Sequence, residues 1–158
     1  MDKLTEDLKR QAKELGEFLA NDALDIIEVE GINHIEQAFD DEGFTDGSLR
    51  KWRKRKAKGQ KYKTNRRGKK GQLTAAGRAD KGRAILTGQA TGGNKLRNSF
   101  RAERQPDGVR FKTDKEYAER HNEGLSGMPK RQFIGKSKTL TKKVIKKIEK
   151  GIDKILDK

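Results

Sequence analysis

His34 and His121 are the only histidines in the chain, and it contains no cysteine. A zinc or iron centre needs several convergent nitrogen, thiolate or carboxylate ligands, and two histidines far apart in sequence do not supply them. His34 falls on a helical stretch and reads as a surface or boundary residue. His121 reads as a structural side chain rather than a general base. Gly88 and Gly93 have the separation of the two glycines of a phosphate-binding loop, and a lysine follows. The match then fails, because Asn94 separates Gly93 from Lys95 and Leu96 stands where a magnesium-binding hydroxyl belongs. The residues beyond read as a strand, whereas such a loop opens a helix whose N-terminus holds the phosphate. No Ser/His/Asp or Cys/His arrangement is recoverable. The sequence therefore predicts no catalytic, cofactor-binding or metal-ligating residue, and a protein that is not an enzyme.

Charge is the strongest chemical signal. The chain carries 39 Lys and Arg against 24 Asp and Glu, a formal net charge of +15, which calls for a negatively charged partner or environment. The excess is concentrated in a run with no acidic residue: Arg53, Lys54, Arg55, Lys56, Lys58, Lys61, Lys63, Arg66, Arg67, Lys69 and Lys70. Such a run repels itself and has little apolar surface to pack, so it predicts a flexible basic loop, set at residues 50–83. Against double-stranded DNA these side chains would release counterions and bind without sequence preference. Tyr62 is the only aromatic residue in the run, too few for a single-strand stacking platform. The same residues would equally suit an acidic protein neighbour or serve as a solvated arm, and both readings stay open.

Several elements must carry these residues. Hydrophobic residues are 30% of the chain and charged residues 40%, so one small core is expected, a single domain over residues 1–158. Leu4, Leu8, Ala12, Leu15, Leu19, Ala23 and Ile26 recur at helical spacing. Gly31 is read as interrupting that stripe, with a kink or a second short helix through Ile32, Ile35 and Phe39 to Gly43. Phe44 to Trp52 is rich in turn residues, and Trp52, the only tryptophan, is expected to anchor this stretch on the core. The pattern then changes to a period of two. Leu96, Phe100 and Ala102 share one face, Gln105-Pro106-Asp107-Gly108 supplies a turn, and Val109 and Phe111 return, which predicts a hairpin from Leu96 to Thr113. Asp114 is expected to cap a short helix that Gly124 ends. A last helix from Ser137 or Thr139 places Leu140, Val144, Ile148, Ile152 and Ile155 on one stripe. No segment is apolar enough for a signal peptide or a membrane span, so synthesis and use in the cytoplasm, away from membrane, are expected.

The ordered landmarks also form a pattern. They are Phe39 with Glu42-Gly43 and Asp46-Gly47 leading to Trp52; Ile85-Leu86-Thr87-Gly88; Leu96-Arg97-Asn98-Ser99; Tyr117-Ala118-Glu119-Arg120-His121-Asn122-Glu123-Gly124; and Pro129 through Phe133 and Gly135 to Ser137. In order and spacing they resemble the phage virion morphogenesis family, which includes the tail-completion proteins of Mu-like phages and prophages. The sequence departs from that family's pattern in the longer stretch Gln89 to Lys95, in Gln132 where a proline is common, and in the length of the basic insertion after Trp52. The resemblance implies an α+β subunit similar to tail-terminator and head-tail joining proteins. It would complete the tail or join it to the head, in the virion, as a ring of identical subunits, a hexamer. Its partners would be other tail or connector proteins, and the basic run adds packaged double-stranded DNA as a candidate partner.

Within that frame Trp52, Leu96, Ser99, Tyr117, His121, Gly124, Pro129, Phe133 and Gly135 take fold or interface roles. Tyr117 and His121 would pack the short helix on the sheet, and Pro129 and Phe133 would fix the approach to the last helix, with Gly135 permitting the turn and Ser137 capping it. The expected architecture is a small antiparallel sheet with a central hairpin, packed by the N-terminal and C-terminal helices, with the long basic loop projecting. A free-standing basic nucleic-acid-binding protein is the alternative.

Overall fold

The structure is a computed structural model and describes residues 2–54, 71–86 and 95–157. It is α+β. Helix α1 (Lys3–Ala20) leads directly into α2 (Asp22–Asp40). The two are separated by Asn21 alone, with φ −124° and ψ −71°. Its side-chain amide donates to the Glu17 carbonyl at 3.0 Å, as does its backbone N–H at 3.1 Å. Both donors of Asn21 thus converge on the Glu17 carbonyl, at the residue between the two helices whose backbone leaves the helical region.

The expected interruption at Gly31 is thus misplaced: Gly31 is buried in the middle of α2. Its missing side chain has a different use. A Cβ at Gly31 would overlap the ring of Phe111, so the glycine lets the hairpin lie directly on the helix.

Strands β1 (Gly43–Thr45) and β2 (Leu49–Lys51) pair antiparallel, with Phe44 opposite Arg50. The turn-rich stretch therefore contains a ribbon that periodicity did not reveal. Helix α3 (Ala75–Gly82) follows, with the Thr74 hydroxyl accepting from the Gly77 N–H at 3.1 Å. The two ends of the region expected as a flexible loop, 50–83, thus include part of a strand and a short helix.

Leu96–Ser99 form a short 3₁₀ helix, so the hairpin begins four residues later than expected. Strands β3 (Phe100–Gln105) and β4 (Gly108–Thr113) pair in the register Phe100 with Thr113, Ala102 with Phe111 and Gln105 with Gly108. The Pro106-Asp107 turn falls where its residues predicted. The two ribbons are separate two-stranded sheets rather than one sheet. Helix α4 (Ala118–Glu123) ends at Gly124, whose φ of +75° is left-handed. Here a Cβ would also press on the Lys130 backbone N, 2.9 Å away. Asp114 does not cap α4, whose N-cap position is Tyr117.

Helix α5 (Lys138–Leu156) starts as expected. The Ser137 hydroxyl accepts from the Leu140 N–H at 3.1 Å and donates to the Thr45 carbonyl at 2.7 Å, which ties the helix start to β1. The helix packs mainly on α1 and α2, while the hairpin packs on α2. Helix α2 is therefore the common support of both.

The core lies at the C-terminal end of α2. Ile35, Ala38, Phe39, Trp52, Ile85, Leu96, Ala118 and Phe133 are buried together, with Phe100, Phe111 and Ile134 packed against them. Phe39 stacks on Phe133 at a centroid distance of 5.4 Å and meets Trp52 edge-on at 5.5 Å. The Trp52 indole N–H donates to the Gln132 carbonyl at 2.6 Å, so the anchoring expected of it is observed. At the other end of the helices burial is sparse: α1 buries none of its residues and α5 only Ile155.

Candidate docking and nucleic-acid surface

Several of the landmark residues are consumed by the architecture. Trp52, Leu96 and Phe133 are buried in the core, Phe133 at 1% exposure. The Ser99 hydroxyl donates to the Leu96 carbonyl at 2.7 Å and shares a hydrogen bond with the Thr113 hydroxyl, which joins the 3₁₀ helix to β4. Gly124 closes α4, Pro129 is half-buried, and Gly135 takes a φ of +154° on the approach to α5.

Tyr117 differs from expectation. It is 42% exposed and meets His121 edge-on at 6.0 Å instead of packing on the sheet. Ala118 and Asn122 are the residues of α4 that face inward. His121 is half-buried, and its Nδ1 has no hydrogen-bond partner among the described residues. Desolvation, with the nearby Arg131 charge, holds its pKa below the ordinary value of 6.5.

Asn122 was not singled out from sequence, yet it organises this region. Its side-chain carbonyl accepts from the backbone N–H groups of Phe133 at 3.0 Å and Ile134 at 3.1 Å, and its amide donates to Glu123 at 2.5 Å. One side chain thus satisfies two donors of an irregular segment at the point where Phe133 enters the core.

Of the basic residues expected to meet DNA or an acidic partner, Arg53 and Lys54 are described, and both are exposed. The Arg53 carbonyl accepts from the buried Arg131 guanidinium at 3.3 Å. Arg55, Lys56, Lys58, Lys61, Lys63, Arg66, Arg67, Lys69 and Lys70 lie outside the described residues. Further exposed lysines stand on α5, among them Lys142, Lys146, Lys150 and Lys154.

The opposing charge was a second missed signal, visible in the sequence as an absence. Residues 14–49 hold eleven acidic residues and no lysine or arginine, whereas residues 50–158 hold 35 Lys and Arg against ten acidic residues. The structure shows where the acids go. Asp25 and Glu28 hold Arg104 of β3, and Asp40 holds Arg97 at 2.6 Å. Buried Glu30 meets Lys143 at 2.7 Å and also Lys147, both of α5. Hydrogen bonds from these two lysines hold its carboxyl below the usual carboxylate range, outweighing the opposing effect of burial. Helix α2 is an acidic support to which the basic elements are attached by ion pairs. One turn along, His34 is half-buried edge-on against Phe44 at 5.4 Å. Burial and the Lys143 charge lower its pKa.

A recess of about 670 Å³ is an open groove between α1, the start of α2 and α5. Glu14, Glu17 and Asp22 line it together with Lys147, Lys150 and Lys154, so its charges compensate one another. Among the described residues no three His, Asp or Glu side chains are grouped to hold a metal ion, and no helix is long and apolar enough to cross a membrane. Comparison with protein-family models, with curated proteins and with solved structures found no match to the chain.

Proposed function

We propose that this chain is a structural subunit of a phage virion that completes the tail or joins it to the head, working as a ring of identical subunits. The observation that carries the reading is uncovered apolar surface. Helix α1 presents Leu4, Leu8 and Leu19 to solvent and buries none of its residues fully, in a molecule whose net charge opposes contact between its own copies. A side-chain stripe regular enough to build a helix, yet only partly covered within the subunit, suits a part whose core is completed on assembly. The landmark residues Trp52, Leu96 and Phe133 and the Ser137 cap are committed to architecture, which suits a docking role better than a chemical one. Disruption of the gene in the phage or prophage tests this reading. Tails without heads attached would indicate joining, and overlong or unstable tails would indicate termination. Normal infectious particles lacking the protein would refute both.

The net charge of +15 and the exposed lysines of α5 favour a second reading, a free-standing protein that binds nucleic acid through phosphate contacts. Replacing Lys142, Lys146 and Lys150 by Gln would then flatten the salt dependence of binding to duplex DNA by about 3 in log–log slope. Under the assembly reading, particle formation is the property these substitutions leave in place.

A further inference from the structure

The two ends of the molecule carry different uncovered apolar patches, and their charges are opposite. The first patch is the tip of α1. Phe18 lies over Gly151 of α5, where a Cβ would overlap its ring, and the Gln11 amide donates to the Leu156 carbonyl at 3.4 Å. Moving back along α1 therefore moves forward along α5, and Gln11 is level with the last residue of that helix. Leu4 lies about 10 Å farther out, at about 1.5 Å per residue. The stripe that packs on α5 through Phe18 thus continues past it, leaving Leu8 57% and Leu4 66% exposed.

The second patch is at the opposite end of α5, which begins beside the β1–β2 turn, where the Thr139 N–H donates to the Asp46 carbonyl. Here Tyr117 stands exposed before α4. Leu125 and Met128 stand exposed on the turn after it, closed by the Met128 N–H on the Leu125 carbonyl at 3.2 Å. The α1 tip, residues 3–13, has four cationic and two acidic residues. Residues 114–129 have four acidic and two cationic residues; Asp114 and Glu123 pair with Lys115 and the following Lys130, which leaves Glu116 and Glu119 exposed on either side of Tyr117.

We infer that the tip of α1 of one copy docks on the Tyr117, Leu125 and Met128 patch of the next copy. Leu4 and Leu8 lie one turn apart on one face and would be the anchors, with the tip's cationic side chains beside Glu116 and Glu119. A second copy is the occupant that charge selects, since each end has its complement on the other end of the same chain. Two unlike patches at opposite ends make a head-to-tail contact, which closes into a ring or extends, whereas a two-fold pairing of α1 tips would leave the second patch uncovered. The inference rests on the ring reading and assigns its surfaces.

The chain lacks cysteine, so introduced thiols report cleanly. The Leu8→Cys, Met128→Cys double variant, oxidised with copper phenanthroline, is expected to give a ladder of cross-linked multimers, and Met128→Cys alone none. Leu4→Glu with Leu8→Glu is expected to weaken self-association measured by sedimentation roughly hundredfold, from the loss of two buried leucines, with unchanged circular dichroism. If the wild type associates but no ladder forms and the glutamate variant associates equally well, the surfaces are wrong while the ring stands. Dimers from Leu8→Cys alone, at the double variant's rate, would replace this contact with a two-fold one. A wild type that is monomeric at every concentration would overturn the inference together with the ring.

Discussion

The aromatic end of the molecule and its helical end are both built from apolar side chains and come to opposite results. At the aromatic end, Phe39, Trp52, Leu96 and Phe133 come from four separate stretches of sequence and are almost wholly buried. At the helical end, Leu4, Leu8, Leu19 and Leu156 belong to two long helices with regular stripes and remain exposed. Periodicity thus specifies a helix and its face, while burial depends on how many elements converge on that face. Hairpin, ribbon, α4 and the segment before α5 all meet the C-terminal end of α2. Its beginning is met by α1, by α5 and by Arg104 of the hairpin, which pairs with Asp25 and Glu28, and α1 continues past α5.

The contrast predicts its own tests. Phe133→Ala should have the largest effect, a loss of about 3–5 kcal/mol of unfolding free energy in urea, because it removes a ring stacked on Phe39 and leaves a cavity. A loss below about 1 kcal/mol, the scale of a surface change, would erase the distinction between the two ends.

Asn122→Ala should cost roughly 2–3 kcal/mol, since it strands the N–H groups of Phe133 and Ile134 where water has poor access. Faster hydrogen exchange at those two amides would locate the damage.

Acid should separate the ends by pH. His34 and His121, with pKa values lowered from 6.5, bind protons more readily when unfolded. Their contribution is therefore complete above about 6.5 and declines as pH falls below it. The Glu30 carboxyl, lowered from 4.5, stabilises the folded state above that value and loses its contribution as pH falls through the lower folded value. Glu30→Gln should remove the second decline and leave the first, read from urea unfolding across pH. Retention of both declines would show that the Lys143 and Lys147 contacts do not link α2 to α5.

The smallest effect belongs to Leu8→Ala, within about 0.5 kcal/mol for the isolated subunit, since the side chain is exposed there. A larger loss under dilute conditions would mean that the tip packs within its own chain.

What was legible in the sequence follows the same physics. The hairpin turn at Pro106-Asp107, the last helix and its Ser137 cap could be read because proline, glycine and serine act through their immediate neighbours. Strands β1 and β2 are three residues each, too short for an alternating pattern to be distinguished from a turn. The helix break was placed at Gly31 because glycine is the stronger breaker by propensity. Tertiary packing by Phe111 overrides that preference, and the break falls at Asn21, whose side chain also bonds the Glu17 carbonyl. Of the candidate surface, the basic residues at Arg53 and Lys54 were legible from composition. The role of Asn122 was not, because its partners Phe133 and Ile134 are brought to it only by the fold.

Gly31 has a final consequence for anyone seeking a sturdier version of this protein. A glycine at the centre of a 19-residue helix is where a stabilising alanine would ordinarily be tried, with a gain of about 1 kcal/mol from reduced backbone freedom. Here the added methyl would force the Phe111 ring, and the hairpin that carries it, away from α2. The position behaves as a hinge pin seated in its socket: the vacancy in the helix is the shape the other part requires, and filling it unseats the joint.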